Sequence, residues 1–278
     1  MKKIFVAIIA AAALAAQFGC ATAGTESQKG KRNLAVQIYS FRNFTVVDGL
    51  REVKKMGIDF VEASPAVRIG GDFKNERMDL KMSPAAKAFL KKTLADMGMK
   101  FTGYGVIRTK NEEEVEAYCK LAKEFGINII LTEDPVSQFK YWDKHGKKYG
   151  ITMVVHHHGS DSVNQYWQPE VMKMFVSQYG NVKSNPDLGH WARSGIYPQA
   201  ALGVLAGEVA NIHIKDQQTF GLGIRDPVPI GDGVIDFDAV FAELDRQGYR
   251  GFLVIEYETD WDNPVPGITK GVKFLKEK

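Results

Sequence analysis

Cysteine is scarce in this chain, with two residues, Cys20 and Cys119, among 278. Cys20 lies in an N-terminal segment that we expect to be processed, which leaves Cys119 as the one internal thiol. One cysteine cannot form an internal disulfide, so stability must come from a packed core. Cys119 falls on the apolar face of a predicted helix, and we expect it to be buried.

Long apolar runs are also missing, since none reaches the ~20 residues that a membrane-spanning helix needs. The apolar run from Ile4 to Ala16 follows Lys2 and Lys3. This order predicts a signal peptide over residues 1–24. The alternative is an N-terminal helix that stays with the fold. A signal peptide implies export, either to the periplasm or to the bacterial envelope as a membrane-anchored lipoprotein.

Two cleavage sites compete within that segment. Residues 17–20 (Gln-Phe-Gly-Cys) resemble a lipobox, which would make Cys20 the lipidation site and the protein a lipoprotein. Residues 21–23 (Ala-Thr-Ala) instead form a site for ordinary secretion. Residues 25–33 then read as a polar tether. Contact with a membrane is therefore expected only through a lipid on Cys20.

An excess of charge of one sign is absent as well. The net charge is +3, and removal of Lys2 and Lys3 lowers it to +1. A nucleic-acid-binding domain would show a strongly basic patch, so no nucleic acid partner is expected. A small-molecule substrate is expected instead, and the chain could form oligomers.

A unit of strand, loop, amphipathic helix and glycine repeats from Leu34 onward. Glycine after a helix adopts the left-handed conformation that ends it. The predicted strands are 34–39, 58–62, 99–104, 127–132, 151–156, 182–187, 209–214 and 252–256. The predicted helices are 46–56, 84–97, 111–125, 136–149, 168–179, 198–205, 236–247 and 264–277.

Eight such units predict an α/β fold, a single (β/α)8 TIM barrel over residues 34–278, a domain type of ~250 residues. An open doubly wound sheet is disfavoured because its glycine-rich fingerprint is missing after the first strand, where Ser40, Phe41 and Arg42 stand.

The last four predicted strands end in residues that can bind a metal, at VVHHHG (154–159), SNPDLGH (184–190), NIHIKD (211–216) and VIEYE (254–258). Five of the six histidines fall in these segments. Because strand ends meet at one mouth of a barrel, His156, Asp187, His213 and Glu256 are expected to converge there. Two imidazoles and two carboxylates suit Mn2+, Co2+, Zn2+, Ni2+ or Fe2+ better than Ca2+. Each residue alone could instead be structural.

Other polar residues near these strand ends are candidates for catalysis. Glu133 could be a fifth metal ligand or the general base, or it could only mark a helix entry. Glu256 is the other candidate for the general base. His190 could bind substrate or a second metal, or stabilise a turn. Lys215 could stabilise an oxyanion or shuttle a proton, and His158 could protonate a leaving group; an exposed lysine is the plain alternative for Lys215.

Several residues are expected to line a sugar pocket, although ordinary packing would also explain each of them: Glu62, Tyr39, Arg42, Tyr104, His190, Trp191 and Arg193. Residues 231–233 (Gly-Asp-Gly) could cradle a phosphate, but a plain turn is the preferred reading.

Six segments carry a family resemblance: VQIYSFR, HHHG, DLGHWARSG, IHIKD, PIGDG with VIDF, and IEYE. Together they resemble the xylose isomerase-like TIM barrels, often called sugar phosphate isomerases/epimerases. The resemblance covers residues 34–278. It implies one divalent metal, often manganese, held by a strand-five Glu, a strand-six Asp, a strand-seven His and a strand-eight Glu. Asp187, His213 and Glu256 match the last three, whereas His156 stands where the family has Glu.

The resemblance implies an enzyme that forms an enediolate next to a sugar carbonyl. In related epimerases the strand-five and strand-eight glutamates both move protons, so His156 disfavours a two-base epimerase. The HxH pattern resembles exported enzymes of 3-keto sugars. Since sugar phosphates stay in the cytosol, a lyase or hydratase acting on 3-keto sugars or 3-keto-glycosides is the preferred prediction. An isomerase or epimerase on an unphosphorylated sugar is the first alternative, and a non-catalytic sugar-binding lipoprotein is the second. An apurinic-site endonuclease would need a basic face that binds DNA, and the near-neutral charge of this chain argues against that function.

Overall fold

The structure, a computed structural model, describes residues 32–163 and 166–278. Within those ranges eight parallel strands form the predicted barrel. They are β1 (Asn33–Gln37), β2 (Phe60–Ala63), β5 (Lys100–Ile107), β6 (Ile129–Thr132), β7 (Thr152–His156), β8 (Val182–Asn185), β9 (Ile212–Ile214) and β12 (Phe252–Ile255). Two short hairpins rise from strand-to-helix loops, namely β3 (Arg68–Gly70) with β4 (Phe73–Arg77) and β10 (Asp216–Gln217) with β11 (Pro227–Val228).

The barrel closes at one place without a continuous ladder. The strands pair in the order β8-β7-β6-β5-β2-β1-β12-β9, and every pair in this sheet is parallel. The two ends of that order, β8 and β9, are joined by parallel bridges between Ser184 and Val209 and between Asp187 and His213. The amide of His213 donates to the carbonyl of Pro186 at 2.8 Å. This β8–β9 seam closes the barrel with isolated bridges instead of a continuous ladder.

Helices cover the outside of the barrel. They are α1 (Val46–Lys55), α2 (Pro84–Met97), α3 (Glu112–Glu124), α4 (Val136–Tyr149), α5 (Pro169–Val176), α6 (Leu188–Arg193), α7 (Pro198–Val204), α8 (Phe237–Arg246) and α9 (Val265–Glu277). Side-chain oxygens of Thr45, Ser83, Asn111 and Asp236 accept amide hydrogen bonds at the starts of α1, α2, α3 and α8. These are the residue types that satisfy free helix amides.

The core has the composition that a barrel covered on both faces requires. Strand residues such as Val36, Val61, Ile130 and Met153 have no exposed surface. Burying an aliphatic side chain of this size stabilises a fold by ~1.5–3 kcal/mol relative to exposure. Because the described chain contains no disulfide, this burial is the main stabilising contribution.

Three sequence predictions are corrected by the fold. The sixth strand ends at Asn185 instead of residue 187, because Asp187 caps α6, a short helix that was not predicted. The seventh strand begins at Ile212 instead of residue 209, because Val209 makes only an isolated bridge. The segment between predicted strand 58–62 and predicted helix 84–97, for which no strand was predicted, contains the β3–β4 hairpin.

The N-terminal predictions fall outside the described residues. The signal peptide over 1–24 and the lipidation site Cys20 lie there, as does most of the tether. Cys119 is buried as predicted, and burial raises the pKa of its thiol to about 12. No helix within 32–163 or 166–278 combines the length and apolar character that crossing a membrane requires.

Candidate metal centre

Four side chains at the ends of adjacent strands meet inside the barrel mouth. His156 ends β7, Asp187 follows β8, His213 lies in β9 and Glu256 follows β12. Nδ1 of His213 lies 2.9 Å from Oε2 of Glu256 and 3.8 Å from Oδ2 of Asp187. The ring centroids of His156 and His213 are 5.0 Å apart. All four side chains are buried, so the predicted convergence is present.

The donor atoms of this centre suit a divalent cation. Asp187 Oδ2, His213 Nδ1 and Glu256 Oε2 are buried without a hydrogen bond of good geometry. Their polar contacts are ion pairs with one another and with Lys215. Candidate ligand atoms of His156, Asp187 and His213 lie within 4.8 Å of one another. Two imidazoles and two carboxylates are a ligand set for Mn2+, Fe2+, Co2+, Ni2+ or Zn2+.

Both histidines are oriented by groups behind them. Nδ1 of His156 lies 2.9 Å from Oδ1 of Asn185, which leaves Nε2 of His156 for the centre. Nε2 of His213 lies 2.6 Å from Oε1 of Glu62, which leaves Nδ1 of His213 for the centre. Hydrogen bonds of this kind fix the tautomer of a metal-binding histidine.

Glu62 was predicted to line a sugar pocket, and its buried position does not allow this. Its carboxylate is fully buried beneath His213. Its oxygens accept hydrogen bonds from Gln37 at 2.5 Å and from Asn211 at 2.6 Å. Glu62 is therefore a positioning residue for His213.

The charges of the centre are strongly interdependent. Burial lowers the pKa of His213, but the carboxylates of Glu62 and Glu256 outweigh it and raise that pKa to about 10. Burial would raise the pKa of Glu256, yet Lys215 and His213 hold it well below its usual range. The pKa of Asp187 is also lowered, chiefly by Lys215 acting against burial. The carboxylates thus remain ionised as metal ligands must be.

Lys215 is buried beside the centre, not exposed. Its Nζ lies 3.1 Å from Asp187 Oδ2, 2.9 Å from Glu256 Oε2 and 2.6 Å from Glu258 Oε2. Burial would lower the pKa of Lys215, but these three carboxylates raise it well above its usual value. Lys215 is therefore a fixed positive charge at the edge of the centre.

A second group of donors shares His156 with the first. Candidate ligand atoms of His156, His158 and His190 also lie within 4.8 Å of one another. Burial lowers the pKa of His190 well below its usual value, so its imidazole is neutral. Nε of Arg193 donates to Nδ1 of His190 at 3.2 Å and holds the ring.

Glu133 belongs to neither group of candidate ligands among the described residues. Its Oε1 lies 2.9 Å from Nδ1 of His158, and Arg108 binds its other oxygen. Burial would raise the pKa of Glu133, but His158, His156 and Arg108 lower it to about 2. The geometry therefore assigns Glu133 to His158 instead of the metal, and a carboxylate with so low a pKa is a weak base.

These groups open into a cavity of about 420 Å3 at the barrel mouth. Its lining includes Tyr39, Glu133, His156, His158, Lys215 and Glu256. His158 is the most accessible member of the histidine group, with 40% of its side chain accessible. A cavity of this size fits a small organic ligand.

The profile of the xylose isomerase-like TIM barrels matches residues 50–278. The chain belongs to that family. It is 32% identical over 146 residues to inosose dehydratase of Clostridium beijerinckii, a match that covers 46% of this chain. The chain spans about half the length of the curated relatives it matches, 48% for this one.

Solved structures share the fold of this xylose isomerase-like barrel. The IOLI protein, solved with zinc bound, has a TM-score of 0.71 at 17% identity over 87% of this chain and 96% of its own. The 3-keto-D-glucoside 4-epimerase YcjR from E. coli has a TM-score of 0.68 at 16% identity over 89% of this chain and 100% of its own. At these identities the likeness concerns the fold.

Three predicted substrate residues of this xylose isomerase-like barrel lie behind its cavity. The hydroxyl of Tyr104 donates to the carbonyl of Met78 at 2.6 Å and anchors the chain after β4. The indole of Trp191 donates to the carbonyl of Trp167 at 2.8 Å. Both side chains are buried, as is Arg193, which acts on His190. Packing therefore explains these residues, whereas Tyr39 faces the cavity as predicted.

The glycine turn at 231–233 is a plain turn in this barrel. The amides of Gly231 and Gly233 donate to Oδ2 of Asp216 at 3.0 and 2.9 Å. A carboxylate of the chain thus occupies the position that a phosphate would need.

Some residues of the site were missed in the sequence. Glu258 could have been found, because it follows Glu256 by two positions and binds Lys215 from the same direction. Asn185 and Asn211 carried no signal of this kind, since each acts only through a histidine or a carboxylate brought near by folding. Arg108 lies far from Glu133 in the sequence.

Proposed function

We propose that this protein is a divalent-metal-dependent carbohydrate lyase or hydratase that acts on 3-keto sugars or 3-keto-glycosides. The observation that carries the proposal is the pair formed by His158 and Glu133, with 2.9 Å between Nδ1 and Oε1, in the same cavity as the candidate metal centre. A partly exposed histidine held by a carboxylate is a common arrangement for proton transfer. The similarity to inosose dehydratases supports a dehydratase type of chemistry.

His156, Asp187, His213 and Glu256 would hold the metal, with Mn2+ favoured. When bound, a divalent cation supplies Lewis acidity to a sugar carbonyl and its neighbouring hydroxyl. A dehydratase that uses such a cation needs a base for the acidic C–H and an acid for the leaving oxygen. The remaining residues of the cavity supply both.

His158 is the proposed base. Its Nδ1 faces Glu133, so its Nε2 is left for the cavity. Nε2 would take the proton from the carbon next to the carbonyl, and Glu133 would stabilise the imidazolium that forms. Glu133 itself is unsuited to this step, because hydrogen bonding to His158 overcomes burial and keeps its pKa at about 2.

Lys215 and His158 are proposed to act in the second half of the reaction, the departure of the leaving group. The ammonium of Lys215 stays charged, since three carboxylates raise its pKa against the effect of burial. It would stabilise negative charge that develops on the sugar oxygen. The C–O bond to the β-leaving group breaks, and the imidazolium of His158 returns its proton to that oxygen. Water or the aglycone alcohol leaves, and the reverse direction adds water to the enone.

An isomerase or epimerase acting on an unphosphorylated sugar is the alternative. It would need a second base on the opposite face of the sugar, and His156 replaces one glutamate of the family pair. Glu256 would be the other base, yet Lys215 and His213 hold its pKa well below the usual range against burial. These two observations favour the lyase or hydratase, and a non-catalytic sugar-binding lipoprotein would show no turnover at all.

Export to the bacterial envelope is part of the proposal, although the residues that predict it lie outside the described chain. An exported enzyme meets unphosphorylated sugars and glycosides. The turn at 231–233, whose amides bind Asp216, agrees with a substrate that has no phosphate.

Proton NMR in D2O tests the proposal directly. The Mn2+-loaded protein is incubated with a 3-keto-glucoside and, separately, with free ketohexoses, alongside a chelated sample. Metal-dependent release of the aglycone or hydration of the enone is the expected result. Deuterium incorporation with a new epimer and an intact glycosidic bond would instead identify an epimerase. For substitutions of the site histidines, His145→Gln is the matched control, because His145 contacts Glu112 on the outer helices.

A further inference from the structure

A second cavity, of about 960 Å3, adjoins the first. Ala66 lines both cavities. At the boundary, Nη1 of Arg42 donates to the hydroxyl of Tyr39 at 3.2 Å, and its guanidinium lies 3.6 Å from the ring centre of Trp261. A ligand that extends out of the catalytic cavity past Tyr39 would enter this second cavity. The proposed reaction at the metal centre makes no use of it.

Positive charge without counter-ions distinguishes the second cavity. Four exposed cations line it: Arg42, Arg68, Lys74 and Arg77. Within the part of the chain that the structure describes, none of the four forms an ion pair. Of the two carboxylates of the lining, Asp48 pairs with Arg51 at 2.8 Å, whereas Asp262 accepts a hydrogen bond from the neutral Asn43 at 2.7 Å. The four cations therefore outnumber the carboxylate charge that remains.

Two of these cations oppose each other directly. Arg68 and Arg77 are register partners across the β3–β4 hairpin. Like charges in that relation destabilise a hairpin. The hairpin is nevertheless fixed in place, since Arg68 bridges to Thr45 and the guanidinium of Arg77 donates to the carbonyl of Ala66. An anion bound between the two strands would remove the repulsion.

We propose that this second cavity is a subsite for an acidic group, a carboxylate or a sulfate, on the part of the substrate beyond the reacting sugar. Guanidinium groups bind both anions through paired N–H donors. The substrate class is then an acidic glycoside or oligosaccharide. The identity of the reacting sugar rests on the proposed function, whereas the presence of an anion subsite does not.

Calorimetric titration of the Mn2+-loaded protein tests the subsite without any turnover. Three probes are compared: cellobiose, the same disaccharide with glucuronate at the reducing end, and the same disaccharide with a 6-sulfate at that end. At least one acidic disaccharide should bind about tenfold or more tightly than cellobiose, as expected for hydrogen bonds to a charged group. The tighter of the two identifies the anion, and added salt should reduce the difference.

The double variant Arg68→Gln with Lys74→Gln should remove most of that preference, so that the ratio of acidic to neutral affinity falls about tenfold. The melting temperature of this variant should not fall, because Arg68→Gln removes one of the two like charges that Arg68 and Arg77 place opposite each other. Lys140→Gln with Lys147→Gln is the charge-matched control on exposed parts of α4 and should keep the preference. Equal affinity for all three probes, or no binding of any, would overturn the subsite. A preference with no lyase activity would instead refute only the proposed reaction.

Discussion

Nε2 of His213 lies 2.6 Å from Oε1 of Glu62, on the side of the imidazole that faces away from Asp187 and Glu256. The carboxylate thus decides which nitrogen of His213 is left for a metal. Such partners of metal-binding histidines raise ligand basicity as well as fixing orientation.

Glu62→Gln should therefore weaken metal binding without removing a ligand. The affinity should fall about 10- to 100-fold, the usual effect of losing such a partner. Competition with a chromogenic chelator measures it. Glu113→Gln is a control at an exposed glutamate on α3. Unchanged affinity would mean that Glu62 does not position His213.

Removal of a direct ligand should have a larger effect. Asp187→Asn and His213→Ala should each abolish stoichiometric metal after dialysis, because both side chains point donor atoms into the centre. Circular dichroism should still report a folded barrel. Metal analysis that finds one ion per chain in both variants would contradict the proposed centre.

His158→Gln separates the two groups of candidate ligands. If the ion is held by Asp187 and His213, this variant keeps its metal and loses turnover by about 10^2- to 10^4-fold, as for a lost general base. Glu133→Gln should lower turnover less, since the imidazole remains. Loss of metal in His158→Gln would place the ion among His156, His158 and His190 instead.

Metal binding should release a proton at neutral pH. Burial opposes the charge on His213, but Glu62 and Glu256 raise its pKa from 6.5 to about 10, so Nδ1 is protonated before metal binds. Affinity should rise with pH and level off above about pH 10. Titration calorimetry in two buffers of different ionisation enthalpy measures the release. No buffer dependence would count against this assignment.

The same shift predicts the pH dependence of the metal-free protein. Because the pKa of His213 is raised on folding, the stabilisation is complete below about pH 6.5 and is lost as the pH rises through about 10. Denaturant unfolding of the apo-protein across that range checks the sign.

The barrel and the convergence of His156, Asp187, His213 and Glu256 were predictable because strand ends share one face of a parallel barrel. The β3–β4 hairpin was also within reach, since Gly70 and Gly71 mark a turn. The roles of Glu62 and Glu133 were not. Glu62 ends a predicted strand and Glu133 directly follows one, and only their neighbours in space show that Glu62 supports His213 and Glu133 supports His158.

The bridge between Asp187 and His213 makes the metal centre part of the barrel wall. These two residues stand on either side of the seam, where isolated bridges replace a continuous ladder. An ion bound to both residues would link the two edges of the sheet. Metal at ~100 times its dissociation constant adds ~2.7 kcal/mol to stability. Amides at this seam, such as that of His213, should therefore be the ones whose hydrogen exchange slows most when the metal is added.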